Sequence, residues 1–201
     1  EAGVEPDLRM LPFPPRRKAP EYLEINPLGT VPLLIDDIDP DEPEAAIHMT
    51  ESCAIAHYLC SVHNKRHPAS LTIKPGEGDY AHYLDYTYHA DATLTFPQTV
   101  YMRFALFEAD KGWAEAGQSY ATWFSKRLVK IESRLKDREY LCAERFTVAD
   151  ICVGYALILA GKVGLDDHVP DSLKAYQERL MAREAYQAAV AKEEAGLARQ
   201  S

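Results

Sequence analysis

The feature that most constrains the fold is a change of pattern between His63 and Gly78, where the sequence is polar and broken by prolines and glycines. Before this segment, short apolar runs of strand length occur beside helical segments. After it, the periodicity is helical throughout. Such Pro- and Gly-containing segments are typical of connections between structural units. The sequence therefore predicts an α/β domain over residues 1–66, a linker over residues 67–77 and an all-helical domain over residues 78–201.

In the first domain we expect short strands and short helices. The strand-length runs are Leu8–Leu11, Val31–Ile35 and Ala46–Met49, and the last two flank an acidic turn at Asp36–Glu44 that would make them a hairpin. The helical segments are a turn at Pro20–Ile25 and a helix over Thr50–Val62, whose apolar face we predict from the spacing of Ile55, Tyr58, Leu59 and Val62.

In the second domain every periodic segment predicts a helix. The predicted helices are Tyr80–Glu108 with a bend at Pro97, a helix with an apolar stripe at Tyr120, Phe124, Leu128, Ile131 and Leu135, a helix at Val148–Gly161, and an interrupted helix at Asp171–Ala195. Because Val148–Gly161 is apolar on nearly all sides, we expect it to lie in the middle of the bundle.

Thr147 and Asp150 have the spacing of a capping box, in which each side chain bonds the main chain of the other residue. Phe146 and Ile151 have the spacing of the hydrophobic staple that accompanies such a box. We interpret this segment as structural, and expect the loss of Asp150 to reduce stability before activity.

Charge and composition exclude several classes of function. The net charge is -9 and no basic stripe runs along a predicted helix, so we expect no nucleic-acid partner. The longest apolar run is too short to span a bilayer, so we expect no membrane partner. The four cysteines form no CxxC pair, which indicates a reducing compartment and predicts a cytoplasmic protein.

Four potential metal ligands, His57, Cys60, His63 and His67, lie in or after the predicted helix 50–62. We predict no metal site, because His67 precedes Pro68 and the helix would end before a second turn of ligands is complete. Histidines near a helix C-terminus also interact favourably with the helix dipole.

Three segments resemble motifs of the cytosolic glutathione S-transferase family, in its bacterial form. Pro20–Leu34 resembles the family's PEFLxINPxGxVPxL motif, Glu51–Leu59 its ES-x-AI-x-x-YL helix start, and Arg145–Ile151 its F-[ST]-x-A-D-[IV] box. The resemblance implies a thioredoxin-like N-terminal domain, with its first strand and helix missing from the chain, followed by an all-helical domain. It also implies a homodimer, with glutathione as co-substrate and no metal.

The resemblance places the glutathione site at Val31, Pro32, Glu51 and Ser52. In the family the proline is cis, and the main chain before it pairs with the cysteinyl part of glutathione. A helix start at Glu51–Ser52 offers unpaired N–H groups, a hydroxyl and a carboxylate, which suit the charged head of an amino acid. From the residues alone, a trans proline at a strand edge and an ordinary helix cap remain open readings.

Arg17 and Lys18 stand where related proteins place cations for the glycine carboxylate of glutathione. Solvated surface charge is the alternative reading of both residues. Some relatives have Lys where this chain has Thr30, which makes the expected pocket less cationic.

The resemblance also implies an electrophile pocket lined from the helical domain, for which we predict Tyr83, Tyr86 and Tyr155. Core packing is the alternative for each of these rings. No catalytic residue is assigned: we expect the thiol-activating residue before Glu1, because Ala2–Pro6 has the pattern of a helix end. We interpret Cys53 as a packing residue rather than a substitute nucleophile.

The function that the resemblance implies is conjugation of the glutathione thiolate to a small electrophile, which we expect to be apolar or aromatic. Two alternatives stay open. One is another glutathione-dependent reaction on the same scaffold, such as isomerisation, ether cleavage, dehalogenation or peroxide reduction. The other is an interaction module without enzymatic activity.

Overall fold

The computed structural model of the 201-residue chain describes residues 1–37, 46–63 and 70–199. Its first part contains α1 (Pro15–Lys18), α2 (Tyr22–Ile25), β1 (Leu34–Asp36), β2 (Ile47–Met49) and α3 (Ser52–Val62). Its second part contains α4 (Tyr80–His89), α5 (Phe96–Tyr101), α6 (Ala114–Leu135), α7 (Val148–Lys162), α8 (Asp171–Met181) and α9 (Glu184–Ala198). This order of a small sheet with helices followed by a helical bundle confirms the predicted fold class.

The predicted hairpin is present as the antiparallel pair β1–β2, in which Leu34 pairs with Met49 and Asp36 pairs with Ile47. The turn predicted at Asp36–Glu44 falls largely on residues 38–45, which lie outside the described residues. Val31–Pro32 precedes β1 instead of forming its first residues.

The predicted strand at Leu8–Leu11 is wrong. Residues 1–12 contain neither helix nor strand, and the sheet of the described residues consists of β1 and β2. A strand needs a partner for its N–H and C=O groups, and Leu8 is exposed with no strand beside it. Local apolar content alone therefore misled the prediction.

Helix α3 forms as predicted, but its buried face is different. Val62 is exposed, whereas Cys60 is buried and Cys53 and Ala56 pack against the core of the helical part. The contact of α3 with α7 therefore uses small side chains, and these bring the two helices close together.

The long helical region predicted at Tyr80–Glu108 is interrupted by two π-helical turns, at Ala90–Thr95 and Met102–Phe107. The first ends directly before Phe96–Pro97, where α5 begins. Since proline lacks an N–H group and its ring clashes with the carbonyl four residues back, a widened turn before Pro97 accommodates it. The interruption occurs where the bend was predicted.

Helix α7 lies in the centre of the bundle, as predicted. Val148, Val153 and Leu157 are fully buried, and α7 contacts α3, α4 and α8. The predicted capping box of Thr147 and Asp150 is present at its start. The predicted break in the last helical segment is also present, between α8 and α9.

The predicted linker is only partly described, because residues 64–69 lie outside the described ranges. The domain boundary at residue 66 and His67 fall there. From residue 70 the chain has no helix or strand until α4, yet Leu71 and Ile73 are buried in the core of the helical part. The described end of this segment is thus packed.

Within the described ranges, no helix combines the length and the apolar character needed to cross a membrane.

Candidate functional site

The β1–β2 register brings two of the predicted site segments to one end of the hairpin. Leu34, the first residue of β1, pairs with Met49, the last residue of β2. The chain enters this end of the hairpin through Val31–Pro32 and leaves it through Glu51–Ser52. The two segments are therefore neighbours, although about 20 residues separate them in sequence.

The loop before Val31 is held by a buried hydrogen-bond network. The Tyr22 hydroxyl donates to the Thr30 carbonyl at 2.7 Å, and the Asn26 amide donates to the same oxygen at 2.9 Å. The Asn26 side-chain oxygen in turn accepts from the Leu28 N–H at 3.2 Å. Both Tyr22 and Asn26 are buried, so the orientation of the Thr30 carbonyl is well defined.

This network also sets the direction of the Val31 N–H. In a trans peptide the C=O and the following N–H point in opposite directions, and the Thr30–Val31 bond is trans. Because the Thr30 carbonyl points inward to Tyr22 and Asn26, the Val31 N–H points away from them. Tyr22 and Asn26 were not predicted as site residues; the Asn-Pro pair in the motif was the signal for them.

Val31 offers an open main chain at this position. Its side chain is 46% exposed, and neither its N–H nor its C=O makes a hydrogen bond within the described part of the chain. The Val31–Pro32 peptide is cis, as the resemblance implied. An extended ligand therefore finds one free donor and one free acceptor on the same residue.

Gly29 keeps this loop tight. Its φ is +61°, a left-handed conformation that favours glycine, and a Cβ there would lie 2.9 Å from Leu23 Cδ2 and 3.1 Å from Arg16 Cβ. Arg16 also donates to the Leu28 carbonyl at 2.6 Å. Helix α1 is thus joined to the loop that presents Val31.

Glu51 and Ser52 form the exposed start of α3. Glu51 is the N-terminal cap residue and its carbonyl accepts from the Ile55 N–H at 2.9 Å, but its carboxylate makes no capping hydrogen bond. No described residue forms an ion pair with that carboxylate. The site therefore has a free acceptor for an ammonium group beside the free N–H groups of the first helical turn, which attract a carboxylate.

Arg17 and Lys18 lie on α1 and are exposed. Their side chains make no hydrogen bond or ion pair within the described ranges, which leaves both cations available. Among the described residues neither cation makes a hydrogen bond or ion pair with Glu51 or Ser52, and α1 is joined to the loop before Val31 through Arg16, which donates to the Leu28 carbonyl.

The three tyrosines proposed for an electrophile pocket differ in environment. Tyr83 is 0% exposed and Tyr86 is 5% exposed, and both belong to the core of the helical part. Burial raises the pKa of both phenols. Tyr155 is 53% exposed and is the most exposed of the three. In this structure Tyr83 and Tyr86 pack as core residues.

His63, one of the four potential metal ligands in the sequence, lies beside Asp36. Its Nε2 lies 2.8 Å from Asp36 Oδ2, and the Tyr58 hydroxyl donates to the same oxygen at 2.9 Å. The hydrogen bond from His63 and that from Tyr58 hold the pKa of Asp36 below its usual value. Among the described residues, no group of three or more His, Cys, Asp or Glu is arranged to hold a metal ion.

Comparison with known proteins finds glutathione S-transferases. The family model for the glutathione S-transferase N-terminal domain matches residues 1–62. Glutathione S-transferase 1 of Schizosaccharomyces pombe is 28% identical over 205 residues, which cover 86% of this chain and 78% of the yeast protein.

Solved structures give the same result. The ternary complex of BphK, a bacterial GST, is 26% identical and covers 96% of this chain and 89% of its own, with a TM-score of 0.75. A sphingomonad glutathione S-transferase complexed with glutathione is 26% identical, covers 86% of this chain and 78% of its own, and has a TM-score of 0.67. Sequence motifs, fold and relatives agree: residues 1–62 match the N-terminal domain of glutathione S-transferases, and the chain as a whole is similar to bacterial and fungal members of that family.

Proposed function

We propose that the protein binds glutathione at the end of the β1–β2 hairpin and joins it, through its thiolate sulfur, to an electrophilic carbon of a second substrate. The observation that carries this proposal is the pair of open groups at that end: the free main chain of Val31 and the free carboxylate and helix start of Glu51–Ser52. Glutathione is a peptide with a charged amino-acid head, so it presents a partner for each of them.

Each end of glutathione has a proposed partner. The γ-glutamyl carboxylate binds the Ser52 hydroxyl and the N–H groups of the first turn of α3, and its ammonium group faces Glu51. The cysteinyl main chain pairs with Val31 before Pro32, and Arg17 or Lys18 binds the glycine carboxylate. The relatives named glutathione S-transferase and the neighbour complexed with glutathione support this assignment.

For the electrophile we propose an apolar or aromatic substrate and a revised position. Phe13 and Phe107 are 56% and 61% exposed, and their ring centroids lie 6.3 Å apart. This pair joins the segment before α1 to the π-helical turn at Met102–Phe107, and so faces both parts of the chain. Given the burial of Tyr83 and Tyr86, these phenylalanines are better placed to contact an apolar substrate than the tyrosines are.

The residue that activates the thiol is not assigned among the described residues. A cysteine in that role would favour reductive thiol transfer, and a serine or tyrosine would favour conjugation.

We further propose a cytoplasmic homodimer. The open carboxylate of Glu51 favours an enzyme over an interaction module, which has no need of a free amino-acid site.

The test is detection of glutathione adducts by mass spectrometry after the complete native protein is incubated with glutathione and a panel of aryl halides and other apolar electrophiles. We expect adducts at a rate above the uncatalysed reaction. Phe107→Ala should raise KM for the electrophile several-fold, whereas Phe96→Ala, which removes a ring on α5 that is 52% exposed, should not. Adduct formation at the uncatalysed rate with every electrophile would remove the transferase assignment.

A further inference from the structure

Two cysteines of the chain lie beside the proposed glutathione contacts and are not among them. Cys53, in the first turn of α3, is half-buried, and Cys152, on α7, is buried. At the contact between α3 and α7, Cys53 packs against the buried core that includes Cys152, and the two thiols lie close enough to influence each other's ionisation. They come from segments about 100 residues apart, so the pair is a product of the fold.

Cys53 is also accessible from outside. It lines a cleft of about 330 Å³ between α3 and α4, and the other lining residues are Ala54, His57, Tyr58, Ser61, Thr87 and Tyr88. Cys152 does not line this cleft, so a reagent entering it meets Cys53 first. The geometry therefore distinguishes an outer thiol from an inner one.

The pKa values of the two thiols are shifted in opposite directions, which also distinguishes the outer thiol from the inner one. The hydrogen bond from Cys152 lowers the pKa of the Cys53 thiol, with a smaller contribution from Ser52, against burial and the negative charges of Asp91 and Glu51. The hydrogen bond to Cys53 and burial raise the pKa of Cys152. Cys53 thus ionises more readily and is the better nucleophile, whereas Cys152 remains a protonated thiol before the reaction.

We propose that Cys53 is a thiol-modification site for small disulfides and that Cys152 resolves the adduct to an intramolecular disulfide between α3 and α7. First, the Cys53 thiolate attacks one sulfur of the small disulfide, forms a mixed disulfide and releases one small thiolate. Next, Cys152 attacks the Cys53 sulfur, its proton passes to the departing second thiolate, and the Cys53–Cys152 bond forms. The protein loses two electrons and the small disulfide gains them.

The other two cysteines provide an internal comparison. Cys60 and Cys142 are buried, and burial raises their thiol pKa to about 11 and about 12. Neither lines the cleft. We therefore expect both to remain reduced while the folded protein reacts.

The experiment treats the complete reduced protein with 2-hydroxyethyl disulfide and, separately, with glutathione disulfide, blocks remaining thiols and maps the peptides by mass spectrometry. We expect the Cys53 and Cys152 peptides to be joined with both reagents. Cys152→Ala should instead retain the small thiol on Cys53, and Cys53→Ser should retain neither adduct nor disulfide. Cys60→Ala, the matched control on α3, should react as the wild type does.

Two results in the wild type alone would overturn the proposal, so it does not depend on the folding of any variant. One is that Cys53 stays free in the folded protein although it reacts after denaturation. The other is a mixed disulfide that persists on Cys53 without joining Cys152. Because 2-hydroxyethyl disulfide contains no glutathione, its reaction is independent of the proposed glutathione site.

Discussion

Asp150 shows how much structure depends on one buried residue. It is fully buried, and its carboxylate accepts hydrogen bonds from the Leu141 N–H at 2.9 Å, the Thr147 N–H at 2.9 Å, the Thr147 hydroxyl at 3.0 Å and the Tyr176 hydroxyl at 2.7 Å. Burial raises the pKa of Asp150, and these four donors act in the opposite direction. The residue joins the start of α7 to the preceding loop and to α8.

We predict that Asp150→Ala lowers the free energy of unfolding by about 3 kcal/mol, because it leaves several buried donors without an acceptor. This exceeds the roughly 1 kcal/mol of an ordinary helix cap. Urea unfolding followed by circular dichroism measures the change. Asp167→Ala, an exposed carboxylate after α7, is the control and should stay within about 0.5 kcal/mol of the wild type.

Asp79 is a second residue whose contacts predict a measurable effect, here the dependence of stability on pH. Its carboxylate accepts from the Ala143 N–H at 2.7 Å and from Arg134 at 3.0 Å. The hydrogen bond from the Ala143 N–H, together with the hydrogen bond and the positive charge of Arg134, holds the pKa of Asp79 below its ordinary 3.8. Since the folded-state pKa is the lower one, the stabilisation is present above pH 3.8 and is lost as the pH falls below it.

The measurement is the free energy of unfolding of the wild type and of Asp79→Asn at several pH values from neutral to acid. The wild type should be the more stable of the two at neutral pH, and this difference should shrink as the pH falls below about 4. A difference that stays constant over the whole range would contradict the account.

At the scale of elements, the contact between α7 and α8 depends on the absence of a side chain. A Cβ at Gly154 would lie 2.6 Å from Leu180 Cδ1, and Leu180 is buried. Glycine lowers helix stability by about 1 kcal/mol relative to alanine. Its presence in α7 therefore reflects the approach of α8.

A double-mutant cycle tests this contact. Leu180→Ala should cost about 2–4 kcal/mol by leaving a cavity. Gly154→Ala should be less favourable in the wild type than in the Leu180→Ala protein, where the new methyl group enters free space and the helix gains about 1 kcal/mol. Equal effects of Gly154→Ala in the two backgrounds, measured by urea unfolding, would show that the helices do not meet at this glycine.

Elements specified by local pattern were predicted well, and those specified by distant partners were not. The capping box, α7 and the β1–β2 hairpin have their signals within a few residues. The segment Leu8–Leu11 has apolar content but no partner strand within residues 1–37, 46–63 and 70–199, and Tyr22 and Asn26 act on Thr30 through a folded loop. Aromatic periodicity also does not distinguish a buried ring such as Tyr83 from one that faces a cavity.

In the molecule as a whole, the segment from residue 70 to the start of α4 is fixed to the helical part. Leu71 is buried, and its carbonyl accepts from the Val148 N–H at 2.9 Å. Arg145 donates to the carbonyls of Ser70 at 3.0 Å and Thr72 at 3.2 Å. Because α3 packs on α7 as well, the helix start at Glu51–Ser52 is held against the core of the bundle.

We propose above that this helix start and the Val31 main chain together bind glutathione. Calorimetric titration of glutathione into the complete native protein tests it, with Ser52→Ala and the control Ser61→Ala, a second exposed serine on α3. We predict equal affinity for the wild type and Ser61→Ala, and binding about tenfold weaker for Ser52→Ala, a loss of about 1.4 kcal/mol. A folded wild type that does not bind glutathione, or a Ser52→Ala protein that binds it equally well, would contradict the account.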